Sequence, residues 1–166
     1  SLASRITSAA VAAAEELFAQ SMRTNGSNNE RLMDVRGQVS SLANRYGISN
    51  HTAIQNIFNQ LDDQLCSNAR GILLPQQEEQ LAREQQAGDY IAARKTIRRI
   101  EQLLNTYNNC GLSNASLLMH QSIVEACAHY QENLQAAEAA ERQGRFGRAI
   151  EYYQVAKTAY QDASVQ

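Results

Sequence analysis

Residues 137–160 read AEAAERQGRFGRAIEYYQVAKTAY, and residues 81–104 read LAREQQAGDYIAARKTIRRIEQLL. The two stretches align without gaps, 56 positions apart. In each, a helix-favouring run ends at glycine (Gly88, Gly144), an aromatic stands two positions on (Tyr90, Phe146), and an alanine follows three later (Ala93, Ala149). A glycine just past a helix takes the left-handed conformation at no steric cost, so it stops one helix and turns the chain toward the next. The aromatic is expected to fill the angle between the two helices. The alanine is expected to let their backbones approach closely. A helix–turn–helix unit is therefore expected twice in the second half of the chain.

Outward from these units, the remaining glycines parse the sequence in the same way. Gly26, Gly47, Gly71, Gly88, Gly111 and Gly144 all fall where a 3.6-residue apolar pattern stops. Starts follow: Ser27 with Glu30 has capping-box spacing, Ser49 precedes a third helix, and Ser113 or Asn114 precedes a sixth. Pro75 opens a fourth, where its missing N–H loses nothing. Helices are expected at about 2–24, 28–46, 50–70, 75–87, 89–109, 114–143 and 145–163. Their apolar seams are spaced by three and four: Leu32, Val35, Val39, Leu42 and Tyr46; Ile54, Ile57, Phe58, Leu61 and Leu65; Tyr90, Ala93, Ile97, Ile100, Leu104 and Tyr107. Later seams run through Ile123, Cys127, Tyr130, Leu134 and Ala137, then Phe146, Ala149, Ile150, Tyr153, Ala156 and Tyr160. No stretch alternates with period two. The expected fold class is all-α: antiparallel hairpins of about seven helices in one domain over 1–166, with three helices in 1–71 and two hairpin units in 75–163. The links are so short that successive helices must reverse direction.

The run Gly144-Arg145-Phe146-Gly147-Arg148-Ala149-Ile150-Glu151-Tyr152-Tyr153-Gln154-Val155-Ala156 resembles the turn and second helix of the tetratricopeptide repeat. Glycine, aromatic, alanine, aromatic and alanine stand at that family's spacing. The copy at Gly88, Tyr90 and Ala93 keeps the first half of the pattern, with Ile97 and Ile100 in place of the later aromatic and alanine. The copies are 56 residues apart where the family repeats at about 34. The resemblance implies a stack of helical hairpins whose first helices form a concave wall for a peptide. Matching wall positions are Glu78, Gln85 and Gln86 in one unit, with Gln131, Leu134, Glu138, Glu141 and Arg142 in the other.

Composition excludes several classes. A formal charge of −2 over 166 residues offers no bulk field for nucleic acid or an anionic membrane, and no nucleic-acid partner is expected. The longest apolar run, Ala9 to Ala14, is far short of the ~20 residues of a membrane span. No start resembling a signal peptide is present, and the opening serine suggests that a targeting or anchoring segment has been removed. Envelope or periplasm and cytoplasm both stay open, as does homo-oligomer formation.

The positions three before His51, His120 and His129 are Ile48, Leu117 and Ala126, so the Glu-x-x-His of di-iron bundles is absent. No Cys-x-x-Cys, phosphate loop or dinucleotide fingerprint occurs. No catalytic residue, metal or cofactor is expected. Cys127, placed on an apolar seam, is expected to be an inert thiol. Cys66 and Cys110 end helices that point to the same pole, so a disulfide, if formed, is expected to join them. Arg94, Lys95, Arg98 and Arg99 are expected as a basic patch on the wet side of the fifth helix. The function expected from these features is a non-enzymatic interaction module, an adaptor or scaffold with a groove for a peptide or helix of a protein partner. The alternative is a sensory or small-ligand-binding bundle excised from a membrane protein.

Overall fold

The computed structural model describes residues 1–165. Every regular element in them is helical: α1 Leu2–Asn25, α2 Asn29–Arg45, α3 Thr52–Asn68, α4 Leu74–Gln86, α5 Tyr90–Thr106, α6 Ala115–Arg142 and α7 Phe146–Val165. No helix is long and apolar enough to cross a membrane, among the described residues. The chain divides into two compact units, Ser1–Ile72 and Leu73–Gln166.

Four of the six expected stops are left-handed glycines: Gly47, Gly88, Gly111 and Gly144. The other two expectations are corrected. Gly26 stays right-handed with φ −57°, and glycine serves there because a Cβ would lie 2.7 Å from the Met22 carbonyl oxygen. Gly71 stops nothing, because it sits inside a π-helical turn, Ala69–Leu73, that leads directly into α4. Pro75 stands in the first turn of α4, and without an N–H it leaves the Gly71 carbonyl four residues back with no helical donor. Caps also shift. Asn28 rather than Ser27 caps α2, accepting from the Arg31 N–H at 3.2 Å, and His51 rather than Ser49 caps α3, accepting from the Ala53 N–H.

In the first unit all three helices pack on one another, around Val11 and Ala14, Leu32 and Val39, and Ile54, Ile57 and Leu61. Tyr46 leaves the expected seam because it caps α2 beyond the packed turns, with Arg45 over its ring. Polar groups lock the base of the unit. Asn68 Nδ2 donates to the Gly26 carbonyl at 2.8 Å and to Asn29 Oδ1 at 2.9 Å, while Gln64 Nε2 donates to Asn68 Oδ1. Asn29 Nδ2 donates in turn to the Leu65 carbonyl. Both asparagines are buried, and burying amides is tolerated only when they are bonded in this way.

The second unit is built by succession: α4 packs on α5, α5 on α6, and α6 on α7. Its core joins Leu74 and Leu81 with Ala93, Ile97, Ile100 and Val124. The α5 seam lies where its spacing predicts. On α6 the expected Ala137 is buried, but elsewhere the seam is rotated by about one residue: Val124, Ala128 and Ala140 are buried, while Ile123, Cys127, Tyr130 and Leu134 stay partly exposed. On α7 the expected Ala149 and Ala156 are buried, joined by Ala159, whereas Phe146, Ile150 and Tyr160 of the same expected seam are exposed. Phe146 therefore does not fill the angle of its hairpin. Small side chains allow the closest backbone approach of α6 to α7, and that approach turns the larger ones outward. Helix α6 runs unbroken for 28 residues, about 42 Å.

Candidate functional site

Cross-helix bonds fix the directions in the second unit. Going up α5, Tyr90, Arg94 and Glu101 meet Gln131, Glu132 with Glu125, and Gln121, in descending order along α6. The pair is antiparallel. Going up α4, Glu78 meets Ser116 and Gln85 meets His120, so α4 and α6 run parallel. Tyr153 donates to Glu141 at 2.8 Å while Tyr160 meets Tyr130, so α7 again reverses.

Helices α5 and α7 both lean on α6 and leave a cleft of about 380 Å³ above it. Its floor is Cys127, Tyr130 and Gln131 from α6, and its walls are Tyr90 from α5 with Tyr160 and Ala163 from α7. The Tyr130 and Tyr160 rings meet at 52° with centroids 5.5 Å apart, which is the tilted geometry aromatic pairs prefer. Desolvation pushes the Cys127 thiol above its ordinary range, so it is held neutral and poorly nucleophilic. The Gln131 amide spans the α4–α5 turn, donating to the Gly88 carbonyl at 2.5 Å and accepting from the Tyr90 N–H at 3.0 Å. A larger hollow, about 570 Å³, lies at the α5–α6 connection. Asn105, Asn108, Asn114 and Gln121 wall it, and displacing water from such amides returns little. The tyrosine cleft is the better candidate, because its surface is apolar and aromatic.

The expected wall residues have mixed fates. Glu78 and Gln85 are engaged with Ser116 and His120, and Gln131 is spent on the turn. Gln86, Glu138, Glu141 and Arg142 are exposed, with Glu141 accepting from Tyr153 and thereby raising the pKa of that phenol. The basic patch is corrected at one position. Lys95, Arg98 and Arg99 are exposed, but the Arg94 side chain is only 12% accessible and is paired with Glu125 and Glu132. The patch loses Arg94 because α6 covers that flank of α5. Cys66 and Cys110 are each disulfide-bonded, and Cys127 is a free thiol. Sequence reasoning named Tyr90, Cys127, Tyr130 and Tyr160 as core and missed that they converge on open space. The available signal was the alanines beside the large residues, Ala128 and Ala140 on α6 and Ala159 on α7, which compete for the buried side.

Compared with protein-family models, with curated proteins and with solved structures, the chain matches none.

Proposed function

We propose that this chain is a non-enzymatic protein-interaction module whose second unit docks an apolar anchor side chain of a peptide or partner helix. On this reading α4 with α5 and α6 with α7 are two hairpins stacked in tetratricopeptide-like fashion. Support comes from the two turns, which share their backbone hydrogen bonds residue for residue and, unlike the Gly47 turn with the same bonds, lead straight into a following helix. One observation carries the docking role: three tyrosines and a neutral thiol line a cleft that the fold leaves open. Aromatic walls supply large contact area at low entropic cost, which is why such residues dominate binding hot spots.

The thiol supplies the assay. Peptides selected on the intact protein from a library with aromatic or branched anchors are expected to slow alkylation of Cys127 in proportion to occupancy. Tyr130→Ala is expected to weaken their binding by at least tenfold. Selected peptides that leave Cys127 labelling unchanged would count against the cleft. Protection by small apolar molecules alone, with no peptide binding, would replace this reading with that of a ligand-binding domain.

A further inference from the structure

Each helix around the open cleft contributes one phenol: Tyr90 from α5, Tyr130 from α6 and Tyr160 from α7. Cys127, Gln131 and Ala163 complete the lining. An anchor that needed only to escape water would be served as well by aliphatic walls, because that gain follows apolar area. What rings add is the sign of their faces. Each face carries negative potential and attracts a cation held within about 6 Å of the ring centroid. Tyr130 and Tyr160 are tilted by 52° and not stacked face to face, so ring faces stay free for a ligand. Tyr160 is 59% exposed, while Tyr90 and Tyr130 are half-buried, so a group entering from solvent reaches all three.

The rest of the lining narrows the choice of cation. None of the six residues is charged: desolvation keeps the Cys127 thiol neutral, and Gln131 is an amide bonded at both ends, to the Tyr90 N–H and the Gly88 carbonyl. An anion would meet ring faces of its own sign and no charged donor. A lysine ammonium brings three N–H donors and an arginine five. The engaged Gln131 does not supply their partners, and withdrawing unpaired donors from water is costly. A quaternary ammonium brings no donor at all. Its surface is methyl, and its charge is felt through that surface. Lys157, one turn before Tyr160, is exposed, so water and salt screen its charge.

We infer that the tyrosine cleft receives an N-methylated ammonium, and that the peptide side chain docked there is a trimethylated lysine. The inference rests on the docking reading above and names its anchor. A trimethyl-lysine satisfies both halves of the site's chemistry. Its methyl groups displace water from the ring surfaces as an apolar anchor would, and its charge gains from the ring faces what a neutral anchor of the same shape does not. That second gain grows as the cation is desolvated, and the walls from α5 and α7 above the α6 floor provide the desolvation.

The test is a selection on the full chain from a peptide library with random flanks around one fixed trimethyl-lysine. The best binder is then remade with a neutral carbon isostere, a tert-butyl group in place of trimethylammonium, and with plain lysine. The isostere is expected to bind about 5- to 30-fold more weakly, and plain lysine is expected to bind less well than the trimethylated form. Tyr130→Leu is expected to shrink the preference over the isostere while the isostere still binds, which separates loss of a ring face from loss of the fold. Equal binding of the trimethyl-lysine and isostere peptides overturns the cation and leaves the docking of an apolar anchor standing. Plain lysine binding as tightly as the trimethylated form overturns it too. A selection that yields no peptide protecting Cys127 from alkylation, while aromatic or branched anchors do protect it, overturns this inference alone. If neither library gives protection, the docking reading falls with it. Tetramethylammonium chloride protecting Cys127 as well as the best peptide would assign the cleft to a free cation, and would equally overturn the proposal.

Discussion

Replacing Asn68 by aspartate changes one atom group and little volume, and it tests whether the buried amide pair holds the first unit together. Asn68 is 4% exposed and its Nδ2 donates twice, to the Gly26 carbonyl and to Asn29 Oδ1. In the Asn68→Asp variant an oxygen faces those two acceptors, so both bonds are lost and like partial charges meet. Each buried group left unsatisfied costs about 1–3 kcal/mol, so a loss of roughly 2–4 kcal/mol is expected for the unit. The new carboxyl is buried without a cation, which lifts its folded-state pKa above the ordinary value of about 3.9. Between those two pKa values the folded state binds more protons than the unfolded one, so stability falls as pH rises through that window. The loss should then be fully developed at pH 8 and partly relieved near pH 4.5, where a protonated carboxyl can donate once. Hydrogen exchange read by mass spectrometry on α1–α3 peptides is the assay, because it reports this unit by itself. At pH 8 exchange should accelerate by about 30- to 1,000-fold. Asn68→Leu should show a loss without the pH dependence. Unchanged exchange in Asn68→Asp, or a variant more stable at pH 8 than at pH 4.5 relative to wild type, would refute the reasoning.

Three further outcomes are expected. Arg94→Met leaves Glu125 and Glu132, two turns apart on α6, without their shared cation, but both carboxylates are about half exposed, so solvent limits the cost to about 1–2 kcal/mol, read as faster exchange in α5 and α6. Ala156→Leu places three extra carbons where the residue is 3% exposed, and overpacking should cost about 1–3 kcal/mol, seen as a lower midpoint in urea and loss of the Tyr130–Tyr160 contact by tyrosine fluorescence. In an unreduced digest the Cys66 and Cys110 peptides should be recovered joined and Cys127 singly alkylated. Closing a loop of 44 residues predicts that reduction lowers stability by about 4 kcal/mol. Recovery of both cysteines as free thiols would remove that contribution.

The helical class and the helix order were legible because they depend on local physics. Spacing of three and four marks a helix wherever it lies, and left-handed glycine ends one through its own backbone at Gly47, Gly88, Gly111 and Gly144. The α5 seam was legible too, since its large aliphatic residues gather on one side and leave no competing face. Gly71 shows the limit of local reading, for whether Pro75 breaks a helix or widens it into a π turn depends on what the neighbouring turns pack against.

What the sequence by itself determined is therefore where the helices run, how they turn, and that the unit around Gly88 recurs at Gly144. Tertiary structure alone decided which face of α6 and α7 goes inward. Each carries two adjoining stripes, one of large side chains and one of alanines, and the expected seam drew on both. The alanine stripe wins because it lets the two backbones close together, as at Ala137 and Ala140 against Ala149 and Ala156. That choice turns Tyr130 and Tyr160 toward the cleft and leaves Phe146 and Ile150 on the surface. Periodicity weighs side chains one helix at a time, whereas the distance between two helices belongs to the pair. The open tyrosine cleft and the exposed Phe146 and Ile150 are consequences of that distance.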